Sequence, residues 1–247
     1  MLSGVALEHA PALYKNTGLN TIFLKARSPV SPSTPKPLSR LRIDILTIFE
    51  RKNMAKKTYQ IQIALKGFKP KIWRRLLIQS DLLLADFHKI IQTSMGWTNS
   101  HLHQFIKNQT FYTVRMPGDD TWDEMDNVDY KKMKISDLLK KEKEKIVYEY
   151  DFGDSWEHDV LLEKTLPVDE KLKYPICLTG KMNCPPEDCR GVWGYSNMLE
   201  ILKQPDHEEY DSYIEWLGGV FDPERFDKDE VNEMLRTKDY GCIELDD

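Results

Sequence analysis

The chain has 247 residues, 40% of them hydrophobic, 30% charged and 11% aromatic, with 35 basic against 40 acidic side chains and a net charge of −5, which excludes collagen-like, low-complexity and wholly disordered classes. No run of about 18 uncharged apolar residues occurs, the minimum for a spanning helix, and mean hydropathy is −0.55, so a soluble protein without a membrane segment is expected. Four cysteines are too few for a disulfide-dense secreted scaffold and no signal-peptide pattern opens the chain, which points to a reducing cytoplasm.

Residues 1–53 hold Pro11, Pro29, Pro32, Pro35 and Pro37, a Ser/Thr/Pro run over 28–39 and no sustained periodicity, so they read as a disordered tail. They carry eight basic and three acidic side chains, leaving 27 basic and 37 acidic, net −10, for residues 54–247. Met54-Ala55-Lys56-Lys57 has the form of an ordinary amino terminus, so Met54 is expected to be the true start. The competing expectation is a basic targeting or nucleic-acid arm. Either way the domain is placed at 54–247.

Within it, Tyr59, Ile61, Ile63 and Leu65 alternate with Gln60, Gln62 and Ala64, the period of a strand with one buried face. After Gly67-Phe68-Lys69-Pro70 the alternation resumes over 72–78, which predicts a hairpin. Ser80 or Asp81 is placed to cap a helix bearing Leu84, Phe87, Ile91 and Met95 at spacings of three and four, ended by Gly96, with His88 on its polar side. Segments 102–106 and 110–114 flank Asn108-Gln109 as a second hairpin, and the acidic stretch 118–129 reads as a solvated loop. A short helix near 136–141 precedes a third hairpin, 146–152 and 157–163, around Gly153-Asp154-Ser155. Residues 174–193 read as a Cys/Pro/Gly loop, followed by helical periodicity at 195–203, 208–217 and 228–236. Strands first and helices last predict an α+β fold, a mostly antiparallel sheet built from hairpins and covered by helices, with a helical C-terminal part.

Four segments together resemble one family: Pro70-Lys71-Ile72-Trp73-Arg74-Arg75; Trp97 with Ser100-His101-Leu102-His103-Gln104-Phe105; Tyr150-Asp151-Phe152-Gly153-Asp154-Ser155-Trp156-Glu157-His158; and Cys184-Pro185-Pro186-Glu187-Asp188-Cys189-Arg190-Gly191 with Gly194-Tyr195 behind it. Glu215-Trp216-Leu217-Gly218-Gly219 and Phe221-Asp222-Pro223 fit as well. The pattern resembles the plasmid pRiA4b ORF-3-like family over about residues 57–235. One departure stands out: where that pattern reads Cys-Gly-Gly, this chain has Cys189-Arg190-Gly191. The resemblance implies an association with plasmids and insertion elements, sometimes under a resolvase-like label, and no established mechanism. Recombinases set a Ser or Tyr nucleophile inside an arginine cluster. Beyond Arg75 only Arg115, Arg190, Arg225 and Arg236 follow, so site-specific recombinase activity is rejected.

Several constellations are able to carry chemistry. Cys177, Cys184 and Cys189, with His158, His101 or His103 as a fourth ligand, suit a tetrahedral zinc, although no Cys-x-x-Cys knuckle is present; the bland reading makes the cysteines buried apolar pins and packs His158 on the core. His101 and His103, two apart, share a face if they lie on one strand, as a metal or proton site or as a buried bonded pair. Asp151 and Asp154 crowd the third hairpin turn beside Trp156, which is expected to be exposed; they serve either as turn caps or as cation and acid–base groups. Lys71, Arg74 and Arg75 form a basic run interleaved with Trp73, fitted to nucleic acid. Residues 205–247 hold 15 acids against four bases, which repels phosphate and favours a protein partner. Two functions follow: a non-catalytic binding or accessory module contacting protein or nucleic acid, or a metal-dependent hydrolase-like enzyme using His101, His103, Asp151 and Asp154.

Overall fold

The first hairpin forms where the alternation runs. Strands β1 (Thr58–Leu65) and β2 (Trp73–Gln79) pair antiparallel, burying Tyr59, Ile61, Ile63 and Leu65 from one and Leu76 and Ile78 from the other. The computed structural model describes residues 56–115, 118, 122 and 126–243, all within the unit Ile45–Asp247. The expected extension 1–53 falls outside the described residues.

Six further strands complete the sheet: β3 (His103–Lys107), β4 (Thr110–Thr113), β5 (Asn127–Asp129), β6 (Lys145–Tyr150), β7 (Trp156–Leu166) and β8 (Ile176–Lys181). Their order is β5-β4-β3-β6-β7-β1-β2-β8, antiparallel except for the parallel β4–β5 pair. The helices are α1 (Leu84–Met95), α2 (Ile135–Leu138), α3 (Gly191–Ile201), α4 (Tyr210–Trp216) and α5 (Lys228–Met234). This is the α+β architecture read from the sequence. Among the described residues no helix is long and apolar enough to cross a membrane.

Helix α1 is the main lid of the sheet. Leu84, Phe87, Ile90 and Ile91 have no exposed surface and Met95 only 2%, each burial worth about 1.5–3 kcal/mol. Gly96 ends it at φ 101°, its N–H donating to Gln92 O at 2.8 Å. The start differs from the expectation. Ser80 is buried and its Oγ accepts from Lys57 N–H, so Leu83 holds the cap position and Leu84 N–H donates instead to Met133 O at 2.9 Å. His88 is also buried, because the flank expected to be polar packs on His103 and Tyr148.

Two other segments depart from the reading. The loop expected at 174–193 contains β8, which adds to β2 with a register shift at Arg75/Leu76; the Thr179-Gly180-Lys181 composition hides it. Gly180 is required there, since a Cβ would sit 2.6 Å from Phe226 and 2.8 Å from Trp73 O. Within the stretch expected as a solvated loop, β5 pairs with β4, and residues 119–121 and 123–125 fall outside the described residues. Helix α5 docks on β8: Cys177 N–H donates to Asn232 Oδ1 (2.7 Å), and Asn232 Nδ2 donates to Cys177 O (2.8 Å).

Candidate functional site

Three connections meet at one end of the sheet: residues 97–102 between α1 and β3, the β6–β7 turn at 151–155, and residues 184–191 leading into α3. The β6–β7 turn is set by Asp151, at φ 58°. Its N–H donates to Leu102 O (2.8 Å) and its carbonyl accepts from Ser155 N–H (2.6 Å). One carboxylate oxygen, Oδ1, accepts from Gly153 N–H (2.9 Å) and Asp154 N–H (3.3 Å). These bonds aim the other oxygen, Oδ2, at His101 Nε2, 3.7 Å away.

The 184–191 connection is pinned from both sides. Trp97 Nε1–H donates to Pro185 O at 3.0 Å. The Glu187 carboxylate accepts from Tyr150 O–H, from Thr98 Oγ–H and, at 3.2 Å, from Thr98 N–H. Burial and that carboxylate together push the Tyr150 phenol up, keeping it a donor. Arg190 N–H donates to Asp154 Oδ2 at 3.0 Å, and at Gly191, φ 66°, a Cβ would lie 2.4 Å from Asp154 O. The clamp delivers Asp188, itself at φ 61°, so that its Oδ1 is 3.3 Å from His101 Nε2.

The result is a cluster of His101, Asp151 and Asp188 whose ligand atoms all lie within 4.8 Å of one another, the only group of three or more His, Cys, Asp or Glu so arranged among the described residues. A tetrahedral zinc with bonds of about 2.1 Å needs ligand separations of about 3.4 Å, close to the two His–Asp distances. His101 Nε2 is buried and has no hydrogen-bond partner although both carboxylates lie within 4 Å of it. No Lys or Arg among the described residues pairs within 4.0 Å with Asp151, Asp154, Asp188 or Glu187. Two carboxylates and an imidazole without a paired Lys or Arg suit a divalent metal.

Of the residues singled out from sequence, His101 and Asp151 therefore meet, and Asp154 contributes as the anchor of the Arg190 amide. His103 does not join them. His101 precedes β3 rather than sharing its face, and the His103 ring stacks on His88 at 3.4 Å between centroids and 2° between planes, with Nε2 against Tyr130 Oη at 2.5 Å. Trp156 is a correction: it has no exposed surface, because the even-numbered positions of β7 face inward and carry it with His158, Val160 and Leu162. His158 is equally buried, packed against Trp97 and Tyr148 with neither ring nitrogen bonded, and burial pushes it down to about 4.

Cys177, Cys184 and Cys189 with His158 form no group of converging ligand atoms. Burial pushes the Cys177 thiol up to about 11 and Cys189 to about 12, and raises Cys184 further, which disfavours the thiolates a zinc needs. The basic run is split by the strand alternation. Arg74 points inward, 2% exposed. Arg75 is held bidentate by Glu163 at 2.6 and 2.7 Å, and Lys71 Nζ donates to Gln62 at 2.8 Å.

Sequence reasoning missed Asp188 as a partner of His101, and Glu187 as the acceptor that ties the same connection to Tyr150 and Thr98. Both lie in the Cys184–Gly191 motif that carried the resemblance, and the signal was its fixed order relative to the His101 and Asp151 motifs. The rim is apolar: Leu102 and Phe152, neighbours of His101 and Asp151, are 57% and 48% exposed.

Comparison with known proteins agrees over the same span. The family model described as "Plasmid pRiA4b ORF-3-like protein" matches residues 57–230. An uncharacterized protein, y4hQ, of Sinorhizobium fredii is 31% identical over 166 residues, 67% of this chain and 83% of that one. The crystal structure of MM3350 from Methanosarcina mazei Go1, a protein of unknown function, superposes with a TM-score of 0.62 at 42% identity, over 71% of this chain and 96% of the other. With its four motifs gathered at one end of a shared sheet, the chain belongs to the plasmid pRiA4b ORF-3-like protein family.

Proposed function

We propose that this protein is a non-catalytic accessory module whose His101–Asp151–Asp188 cluster binds a divalent cation, zinc by preference, and whose rim contacts a protein partner. The observation that carries the reading is the convergence of these three ligand atoms around an otherwise unpartnered His101 Nε2. The chain supplies what such a site needs. Asp151 is oriented by two backbone amides, and Asp188 is delivered by the Arg190–Asp154 clamp. Exposed Leu102 and Phe152 beside the site, with Trp193 at 84% exposure on α3, offer apolar area next to a charged centre, a composition suited to protein contact. A nucleic-acid partner is less well supported, because Arg74 is buried and Arg75 is committed to Glu163.

The second reading is a metal-dependent hydrolase-like enzyme. Three protein ligands leave coordination positions open for water, as in catalytic zinc sites. Against it, His103 and Asp154, the acid–base groups it required, are engaged with His88 and Tyr130 and with the Arg190 amide.

The test is calorimetric titration of the metal-stripped protein with Zn²⁺ and Mn²⁺. One equivalent should bind, and His101→Ala and Asp151→Asn should each weaken it at least about 10-fold, the loss of one ligand. Unchanged binding in both variants would overturn the assignment.

A further inference from the structure

A second site lies on the other side of residues 97–98, independent of the cation cluster. A cavity of about 510 Å³ opens between the end of α1 and helix α5, within the range of small-molecule pockets. Met95, Trp97, Phe226, Val231 and Met234 form an apolar wall, and polar side chains, Asn183 and Arg225 among them, make up much of the rest.

Two polar features are set into those walls. Arg74, 2% exposed, lines the cavity. Its Nε donates to Ser94 O (2.7 Å) and its Nη1 to Trp73 O (3.0 Å) and Lys181 O (3.1 Å), while Phe226 covers one face at 4.3 Å. A guanidinium has five N–H donors, so the two on Nη2 remain without a partner among the described residues, and no carboxylate pairs with this cation. Burial disfavours its charge. The second feature is Thr93 Oγ1, buried in the same wall with no hydrogen-bond partner. Arg74 Nη2 is not sealed from solvent, so its two donors are open to a ligand, and the buried Thr93 hydroxyl is a polar group whose unmade bond costs free energy.

The acids at the cavity mouth are already engaged. Asp227 caps α5, accepting from Asp229 N–H (2.8 Å) and Glu230 N–H (3.2 Å), and Glu230 pairs with Arg225 at 3.0 Å.

We propose that the cavity binds a small carboxylic acid with an aliphatic or aromatic body, the carboxylate accepting from Arg74 Nη2 and Thr93 Oγ and the body resting on Met95, Trp97 and Val231. The apolar wall of Met95, Trp97, Val231 and Met234 argues for a carboxylate with an organic body over inorganic phosphate, which would leave that wall uncovered.

The experiment is calorimetry of the full chain with hexanoate and 3-phenylpropionate, their neutral amides, and inorganic phosphate. The acids should bind and the amides should bind about 10-fold more weakly, the difference between a charge-assisted and a neutral hydrogen bond. Phosphate should give no heat. Because Arg74 is buried and its replacement threatens the fold, the variants are Thr93→Val, expected to weaken the acids about fivefold through loss of one neutral bond, and Val231→Trp, expected to abolish binding by filling the cavity. No binding of either acid at about 10 mM, weaker than any useful pocket affinity, would overturn the proposal. So would equal affinity for acid and amide, binding of phosphate alone, or acid binding unchanged in both variants.

Discussion

At the scale of single residues, the site is held by backbone conformations that side-chain chemistry conceals. Arg190 sits at φ 69°, ψ 43°, a left-handed conformation that costs an L residue about 1–2 kcal/mol. Only part of that gain is offset by the added freedom of glycine in the unfolded chain, so Arg190→Gly should raise stability by up to about 1 kcal/mol in urea unfolding. The family's glycine at this position thus has a physical reason. Gly191→Ala should do the opposite, losing at least about 2 kcal/mol, because a Cβ at φ 66° would collide with Asp154 O in a conformation glycine alone adopts freely. It should also weaken zinc binding by withdrawing Asp188. The buried imidazoles set a pH dependence. Burial pushes His88 and His158 down to about 4, and burial together with the His88 charge holds His103 well below its ordinary value. These values lie below the unfolded value of about 6.5, so below that pH the unfolded chain takes up protons the folded one refuses. Stability is therefore complete above about pH 6.5 and declines as pH falls towards 4, by roughly 3 kcal/mol for each of His88 and His158. Urea midpoints at pH 7 and 4.5 measure it, and His158→Gln should flatten the slope.

At the scale of elements, period and spacing made the hairpins and α1 legible. Tyr59 to Leu65 alternate cleanly, and Leu84, Phe87, Ile91 and Met95 repeat at helical spacing, so the elements and their types could be read directly. The errors arose where tertiary contacts overrule local pattern. Ser80 has the chemistry of a helix cap but satisfies Lys57 instead. Trp156 adjoins a polar turn, yet belongs to the inward row of β7. The consequence is testable: Trp156→Ala should cost about 3–5 kcal/mol, as deletion of a core aromatic does, whereas Trp193→Ala, on the exposed face of α3, should stay within about 0.5 kcal/mol. Equal effects in thermal or urea unfolding would contradict the burial.

At the scale of the whole molecule, the candidate site was half legible. His101 and Asp151 could be named because imidazoles and carboxylates are conspicuous, but their third partner comes from a connection 37 residues beyond Asp151. Only the fold brings Asp188 back, through the Arg190–Asp154 and Trp97–Pro185 bonds. The basic run misled because spacing shows which residues are near in sequence, while strand alternation decides which point inward, as it does for Arg74 against Arg75; the cysteines, one on β8 and two in the following connection, are near in sequence and buried, yet their ligand atoms do not converge. The central claim is that the three loops form a cation site. It is tested most directly by an anomalous difference map from crystals grown with zinc, collected at the zinc edge. The account predicts a single strong peak about 2.1 Å from His101 Nε2, Asp151 Oδ2 and Asp188 Oδ1. A zinc-soaked crystal with no density there, or with its peak among Cys177, Cys184 and Cys189, would contradict it.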